Sequence, residues 1–221
     1  MTMVGETTAR ARQALAHGNA SVRMRAAMAV GTAPDPALVD TLVRRCGIEP
    51  EFSVREMLTW ALTRHAPEVT VPRLVQELRS RRPQARSQAL HTLSKIGDRR
   101  AWPAITRDLL TDADDEVARS AWRAAVALAP ADALPELAAV LATQLGRGGR
   151  DTRLSLSRAL VALGEVIMPT LRSAMAATDP AVRQHAQATG KLWHDPDAGF
   201  ELAIEEAKRI VALGGDARKE A

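Results

Sequence analysis

The chain has 221 residues, of which 46% are hydrophobic, 3% are aromatic and none is Tyr. Because Ala and Leu dominate over β-branched and aromatic residues, this composition favours an all-helical protein and argues against a sheet protein. The single cysteine, Cys46, excludes an internal disulfide framework and a multi-cysteine zinc site. The net charge is only +4, from 26 Arg and 4 Lys against 26 acidic residues, so basicity alone is a weak indication of nucleic-acid binding.

The first predicted element is a short amphipathic cap helix over residues 6–18, which ends at Gly18. The N-terminus lacks the basic and then apolar pattern of a secretory signal. No apolar run reaches the length of about 18 residues that a membrane span requires. We therefore expect a soluble, cytoplasmic protein with no membrane partner.

After the cap helix, a two-helix pattern recurs six times at intervals of 30 to 35 residues. The first helix of each copy carries an anchor residue near its start: Val22, Val54, Ala85, Val117, Thr152 and Val182. An Arg follows five of the six anchors, and Ala118 takes its place in the fourth copy. We predict repeats over residues 19–50, 51–81, 82–113, 114–148, 149–178 and 179–213, with a flexible tail over 214–221.

A proline marks the second helix of each central copy, 17 or 18 residues after the anchor. We expect these prolines to stand in the first helical turn, where the missing N–H group costs no hydrogen bond: Pro72, Pro103, Pro135 and Pro169. Pro36 fits the same register in the first copy. The sixth copy lacks this proline, and its predicted second helix carries Phe200, Leu202, Ile204 and Ile210.

Matched hairpins at a fixed period predict an all-α fold, in which each hairpin buries its apolar face against its neighbours. We expect a single domain over residues 1–221, an α-solenoid of about six hairpins with an extra N-terminal helix. Helix starts such as DDEVARSA and DPAVRQHA, and the turn GDRRAWPAI, resemble HEAT repeats, in particular the short bilin-lyase-like ones. The resemblance covers roughly residues 19–213. It implies the fold strongly and the function weakly, since HEAT proteins are mostly binding scaffolds with a minority of enzymes.

The repeat register also sorts individual side chains. The arginines after the anchors recur with the repeat, so we interpret them as structural groups that pair with acids or carbonyls at the turns. Trp102 and Trp193 fall in core columns. Two alternatives stay open for Trp60 and Trp122: exposure at an interface, or cover by a neighbouring helix.

In HEAT-like solenoids the second helices line the concave face, which is the usual binding surface. The candidate binding residues on this face are Arg73, Gln76, Glu77, Arg107, Asp108, Glu136 and Val140, and Asp40 and Arg44 are expected to face the same side. Mixed charges that give way to an apolar strip suit a protein or peptide partner better than a phosphate backbone. We therefore expect a non-catalytic binding scaffold, and a solvated face without a partner is the alternative.

No catalytic, metal-binding or cofactor-binding residue is predicted, because the sequence lacks HExxH, GxSxG, P-loop and GxGxxG motifs. Cys46 is interpreted as a partly buried thiol. Enzymatic activity is nevertheless left open. HEAT-like DNA alkylpurine glycosylases have a similar length and basicity, so a nucleic-acid-binding or glycosylase-type repair protein is one alternative. That resemblance implies aromatic residues and a catalytic Asp and Arg in the concave cleft, which have no clear counterpart here. A small-ligand-sensing regulatory module is the second alternative.

Overall fold

The computed structural model describes residues 2–195, with side chains from residue 5 onward. Within this range the chain forms twelve α-helices and four short 3₁₀ helices, and it contains no β-strand. The predicted all-α helical-repeat fold is thereby confirmed. The predicted second helix of the sixth copy and the predicted tail over 214–221 lie outside the described residues.

The helices alternate as the repeat predicts. The first helices are α2 (Ala20–Thr32), α4 (Phe52–Thr63), α6 (Pro83–Ile96), α8 (Asp115–Leu128), α10 (Arg150–Ala162) and α12 (Pro180–His194). The second helices are α3 (Val39–Cys46), α5 (Pro67–Glu77), α7 (Arg107–Leu110), α9 (Leu134–Ala142) and α11 (Met168–Met175). The 3₁₀ helices lie between the two helices of a copy, at Pro36–Leu38, Arg99–Ala104, Ala131–Ala133 and Gly164–Ile167. The cap helix α1 covers Thr2–Leu15, so it begins and ends earlier than predicted.

The chain divides into two compact units, Met1–Val140 and Leu141–Ala221. In the first unit the first helices pack in series, α2 on α4, α4 on α6 and α6 on α8, while α3 packs on α5. In the second unit α10 and α11 both pack on α12. The single domain expected from the repeat stays a prediction.

Two of the predicted helix starts are wrong. Pro72 lies inside α5, because Pro67 already occupies the first helical turn of that helix. Pro103 lies inside the 3₁₀ helix Arg99–Ala104, whose start is fixed when the Asp98 carboxylate accepts a hydrogen bond from the Arg100 N–H at 2.9 Å. Ile105 then leaves the helical region, with φ −84° and ψ 82°. The third copy therefore has a broken second helix, of which α7 contributes only four residues.

The four tryptophans occupy different environments. Trp122 is fully buried on α8, with 0% of its surface exposed. Trp60 is 39% exposed, and its ring lies over Gly31 so closely that a Cβ there would stand 2.3 Å from Cζ3. Trp102 and Trp193 are half-buried rather than core residues. For Trp102 the reason is the 3₁₀ helix, whose tighter turn takes its side chain out of the α-helical column on which the prediction rests.

Candidate functional site

The arginines that follow the anchors are structural groups, as predicted. Each donates to a backbone carbonyl five to seven residues earlier, in the turn before its own helix. The contacts are Arg23 to His17 at 2.8 Å, Arg55 to Glu49 at 2.9 Å, Arg86 to Ser80 at 2.9 Å, Arg153 to Gly146 at 3.0 Å, and Arg183 to Ala177 at 2.7 Å. Since these guanidinium groups hold the turns together, we do not assign them to a ligand.

Two of these arginines, Arg23 and Arg86, also form an ion pair with an acid in the turn at the end of their own copy, Glu49 and Asp112 respectively. Arg23 forms a two-bonded ion pair with Glu49, at 2.7 Å for both N–O distances, and Glu49 is 0% exposed. Arg45 adds a third contact to the same carboxylate at 2.8 Å. Burial alone would raise the pKa of Glu49, but the hydrogen bonds from Arg23, the Glu51 N–H and Arg45 outweigh it and lower the pKa to about 2. Glu49 is therefore a charged structural group.

The exposed sides of α3, α5 and α7 carry five of the seven candidate binding residues, and we call them together the second-helix surface. Arg73 on α5 forms an ion pair with Asp40 on α3 and a longer one, at 3.6 Å, with Glu77 one turn along α5. The Arg73 guanidinium also donates to the side-chain oxygen of Gln76. The structure thus brings the predicted residues Arg73, Gln76 and Glu77 together in one ion-paired cluster.

The other four predicted binding residues do not belong to the ion-paired cluster around Arg73. Arg107 and Asp108 are exposed on α7. Glu136 is exposed and Val140 is half-buried on α9, a helix that spans the boundary between the two units. That Glu136 and Val140 share a surface with Arg107 stays a prediction.

Beside the second-helix surface, the break in the third copy leaves a pocket of about 350 Å³. Its walls come from the end of α5, the start of α6 and the segment 103–112, and its lining residues include Val75, Leu78, Arg79, Arg86, Pro103, Asp108, Leu109 and Asp112. Asp108 is a predicted binding residue. The pocket itself was not predicted, because an apolar spacing that looks helical does not show that the helix is interrupted.

The four charged residues of this pocket divide into two kinds. Arg86 and Asp112 pair with each other at 2.9 Å, both largely buried, and form a fixed part of the wall. Arg79 and Asp108 are exposed, and neither side chain forms an ion pair within residues 2–195. The pocket therefore has a mixed lining, with apolar side chains such as Val75 and Leu109 beside one exposed cation and one exposed anion.

Cys46 on α3 lacks the environment of a reactive thiol. Cys46 is 3% exposed, so it is more deeply buried than predicted, and burial raises the pKa of its thiol to about 12. Such a thiol stays protonated and is a poor nucleophile. Within the described residues, no group of three or more His, Cys, Asp or Glu side chains could hold a metal ion. In the same part of the chain, no helix is long and apolar enough to cross a membrane.

Comparison with known proteins identifies HEAT repeats over residues 71–151, which confirms the resemblance seen in the sequence. Among solved structures, an engineered protein is similar at 20% identity and a TM-score of 0.46. That match covers 85% of this chain and 58% of the engineered one, so the chain spans little more than half of that protein's length. The complex of CpcE and CpcF of phycocyanin lyase from Nostoc sp. PCC7120 is similar at 21% identity and a TM-score of 0.48, over 82% of this chain and 75% of that one. No curated protein matches the sequence.

Proposed function

We propose that this chain, with HEAT repeats over residues 71–151, is a non-catalytic scaffold that binds a protein or peptide on its second-helix surface. The observation that carries the proposal is the pocket lined by the end of α5 and by α7, since α5 is also the helix that carries the ion-paired cluster around Arg73. A solvent-exposed face without a partner gives no reason for a pocket of this size and mixed lining. A pocket of about 350 Å³ is large enough to receive one or two side chains of an extended peptide.

The mixed charge of the surface supports a peptide over a nucleic acid. Asp40, Glu77 and Asp108 lie among the arginines of α3, α5 and α7, so a continuous phosphate backbone would meet acids as well as bases on this surface. Proteins that bind single strands without sequence preference usually also offer aromatic side chains for base stacking, and α3, α5 and α7 carry no Phe, Tyr or Trp. The same two features make a glycosylase-type repair activity the weaker alternative.

The proposal is tested by pull-down from a native lysate with the full chain and surface variants. Arg107→Glu reverses a charge on α7, and Val140→Asp places a charge on α9, which we propose borders the same face, so both variants are expected to lose the partner. Arg25→Glu is the matched control, since Arg25 is an exposed arginine on the first helix α2 and forms no ion pair within the described range.

A partner that is retained by Arg25→Glu and lost by both other variants supports the proposed surface. A partner that Arg107→Glu and Val140→Asp both retain overturns it. Circular dichroism of each variant shows whether a loss of binding reflects a loss of fold.

A further inference from the structure

The second-helix surface and the turn that follows α5 carry exposed arginines that form no ion pair within residues 2–195. Asp40 and Glu77 pair with Arg73, and Asp112 pairs with Arg86. Within residues 2–195, no ion pair forms at three exposed arginines of this region: Arg44, Arg79 and Arg107. Against these three cations, the same described part of the chain sets the exposed acid Asp108 and one further negative charge, because Asp40 and Glu77 share the single Arg73.

The turn after α5 adds to this charge. Arg81 and Arg82 are exposed in the segment that joins α5 to α6, close in sequence to the pocket residue Arg79. Neither forms an ion pair among the described residues. Among the described residues at the pocket mouth, the exposed arginines Arg79, Arg81 and Arg82 therefore outnumber the exposed acid Asp108.

From this charge balance we infer that the partner of the proposed binding surface is an acidic peptide segment, which inserts an Asp or Glu side chain into the pocket and pairs it with Arg79. This inference rests on the proposed function and specifies its ligand. A guanidinium can donate two parallel hydrogen bonds to one carboxylate, which makes Arg the residue best suited to this recognition. Val75 and Leu109 provide apolar contact for the methylene groups of the inserted side chain.

Asp108 sets a limit on what the pocket accepts. Its carboxylate lines the same pocket as Arg79, so a ligand with negative charge on every unit would be repelled at this wall. A peptide can place an amide N–H group or a neutral residue there. The pocket thus favours one acidic side chain between uncharged residues over a uniformly charged polymer.

The test is fluorescence anisotropy of the full chain with three fluorescein-labelled probes. The first is a short peptide of Glu, Leu and Ala, the second is the same peptide with Lys in place of Glu, and the third is an oligothymidylate of equal length. Binding of the acidic peptide at least about tenfold tighter than the basic one is expected, in line with the strength of charge-assisted hydrogen bonds. Arg79→Glu is expected to lower the affinity for the acidic peptide by about tenfold or more. Arg25→Glu is expected to lower that affinity by less than about twofold.

Equal binding of the two peptides, or unchanged affinity in Arg79→Glu, would overturn the inference. Tighter binding of the oligothymidylate than of the acidic peptide would overturn it as well, and would favour nucleic acid as the ligand. If a cellular partner is lost by Arg107→Glu and Val140→Asp while the acidic probe does not bind, the inference falls and the proposed function stands. If Arg107→Glu and Val140→Asp both retain the cellular partner and Arg79→Glu leaves the affinity for the acidic probe unchanged, both fall.

Discussion

The indole N–H of Trp122 donates to the backbone carbonyl oxygen of Leu110 at 2.8 Å, with the Trp122 side chain fully buried. Leu110 is the last residue of α7 and precedes the turn that leads to α8. In the other copies, an arginine of the first helix donates to a carbonyl in the corresponding turn, as Arg86 does to Ser80. In this fourth copy the arginine is replaced by Ala118. Trp122 therefore supplies the donor that ties the turn to its helix, and it does so without a charge.

The first prediction concerns this donor. Trp122→Phe removes the hydrogen bond, leaves the Leu110 carbonyl without it and opens a cavity, so we expect a loss of about 2–4 kcal/mol in the free energy of unfolding. Urea unfolding followed by circular dichroism measures it. Trp60→Phe is the control, because that ring is 39% exposed and the expected loss is below about 1.5 kcal/mol. Equal losses in the two variants would contradict the structural role of Trp122.

The second prediction is a dependence of stability on acid pH that comes from Glu49. Its folded pKa of about 2 lies below the ordinary value of 4.5, so its contribution is complete above about pH 4.5 and is lost as the pH falls through about 2. Over that interval the contribution is of the order of 3 kcal/mol, since each pKa unit corresponds to about 1.4 kcal/mol. Glu49→Gln should be much less stable than the parent chain at pH 7, and the difference should shrink toward pH 2. A difference that does not change with pH would contradict this assignment.

The third prediction concerns His185 in the second unit. Its Nδ1 accepts from the Gly146 N–H at 3.0 Å and its Nε2 lies 2.9 Å from the Arg153 carbonyl oxygen, an arrangement that requires the neutral ring. Burial lowers the pKa of His185 below 6.5, so the unfolded chain takes up a proton before the folded chain does. Stability is therefore complete above about pH 6.5 and decreases as the pH falls below it.

His185→Gln removes the titrating group and should flatten this part of the pH profile, although the variant is less stable at pH 7.5. The measurement is the free energy of unfolding of both chains between pH 7.5 and pH 5.5. A parent chain that becomes more stable as the pH falls through this range would contradict the neutral state of His185.

The fourth prediction concerns Cys46. Because burial holds the pKa of its thiol near 12 and the side chain is 3% exposed, we expect very slow reaction with a disulfide reagent such as dithionitrobenzoate at pH 8. The same thiol should react fully and quickly in denaturant. Rapid stoichiometric reaction of the native chain would contradict the burial of Cys46 and reopen a nucleophilic role for it.

The periodic part of the fold could be predicted from the sequence, because the same contact recurs in each copy. The arginine after each anchor is visible as a repeated letter, and its structural role follows from that repetition. The break after Ile105 could not be predicted in this way. Its cause is the Asp98 cap together with the 3₁₀ turn around Pro103, which replace the α-helical register without changing the apolar spacing.

The candidate site was predicted in part for the same reason. Gln76 and Glu77 both lie about one turn of α5 after Arg73, so their proximity to Arg73 follows from helix geometry. Arg79 is not among the predicted binding residues, because its place in the pocket depends on the broken helix across from it. The sequence leaves both exposure and burial open for Trp122, and only tertiary packing shows its carbonyl partner.

The proposed binding surface is tested most directly by hydrogen–deuterium exchange of the full chain with and without the acidic probe peptide. We predict slower exchange in α5 and in residues 103–112, where the pocket lies, and unchanged exchange in α2. Protection confined to α2 and α4 would contradict the account, because it would place the ligand on the exposed side of the first helices around Met28 and Trp60.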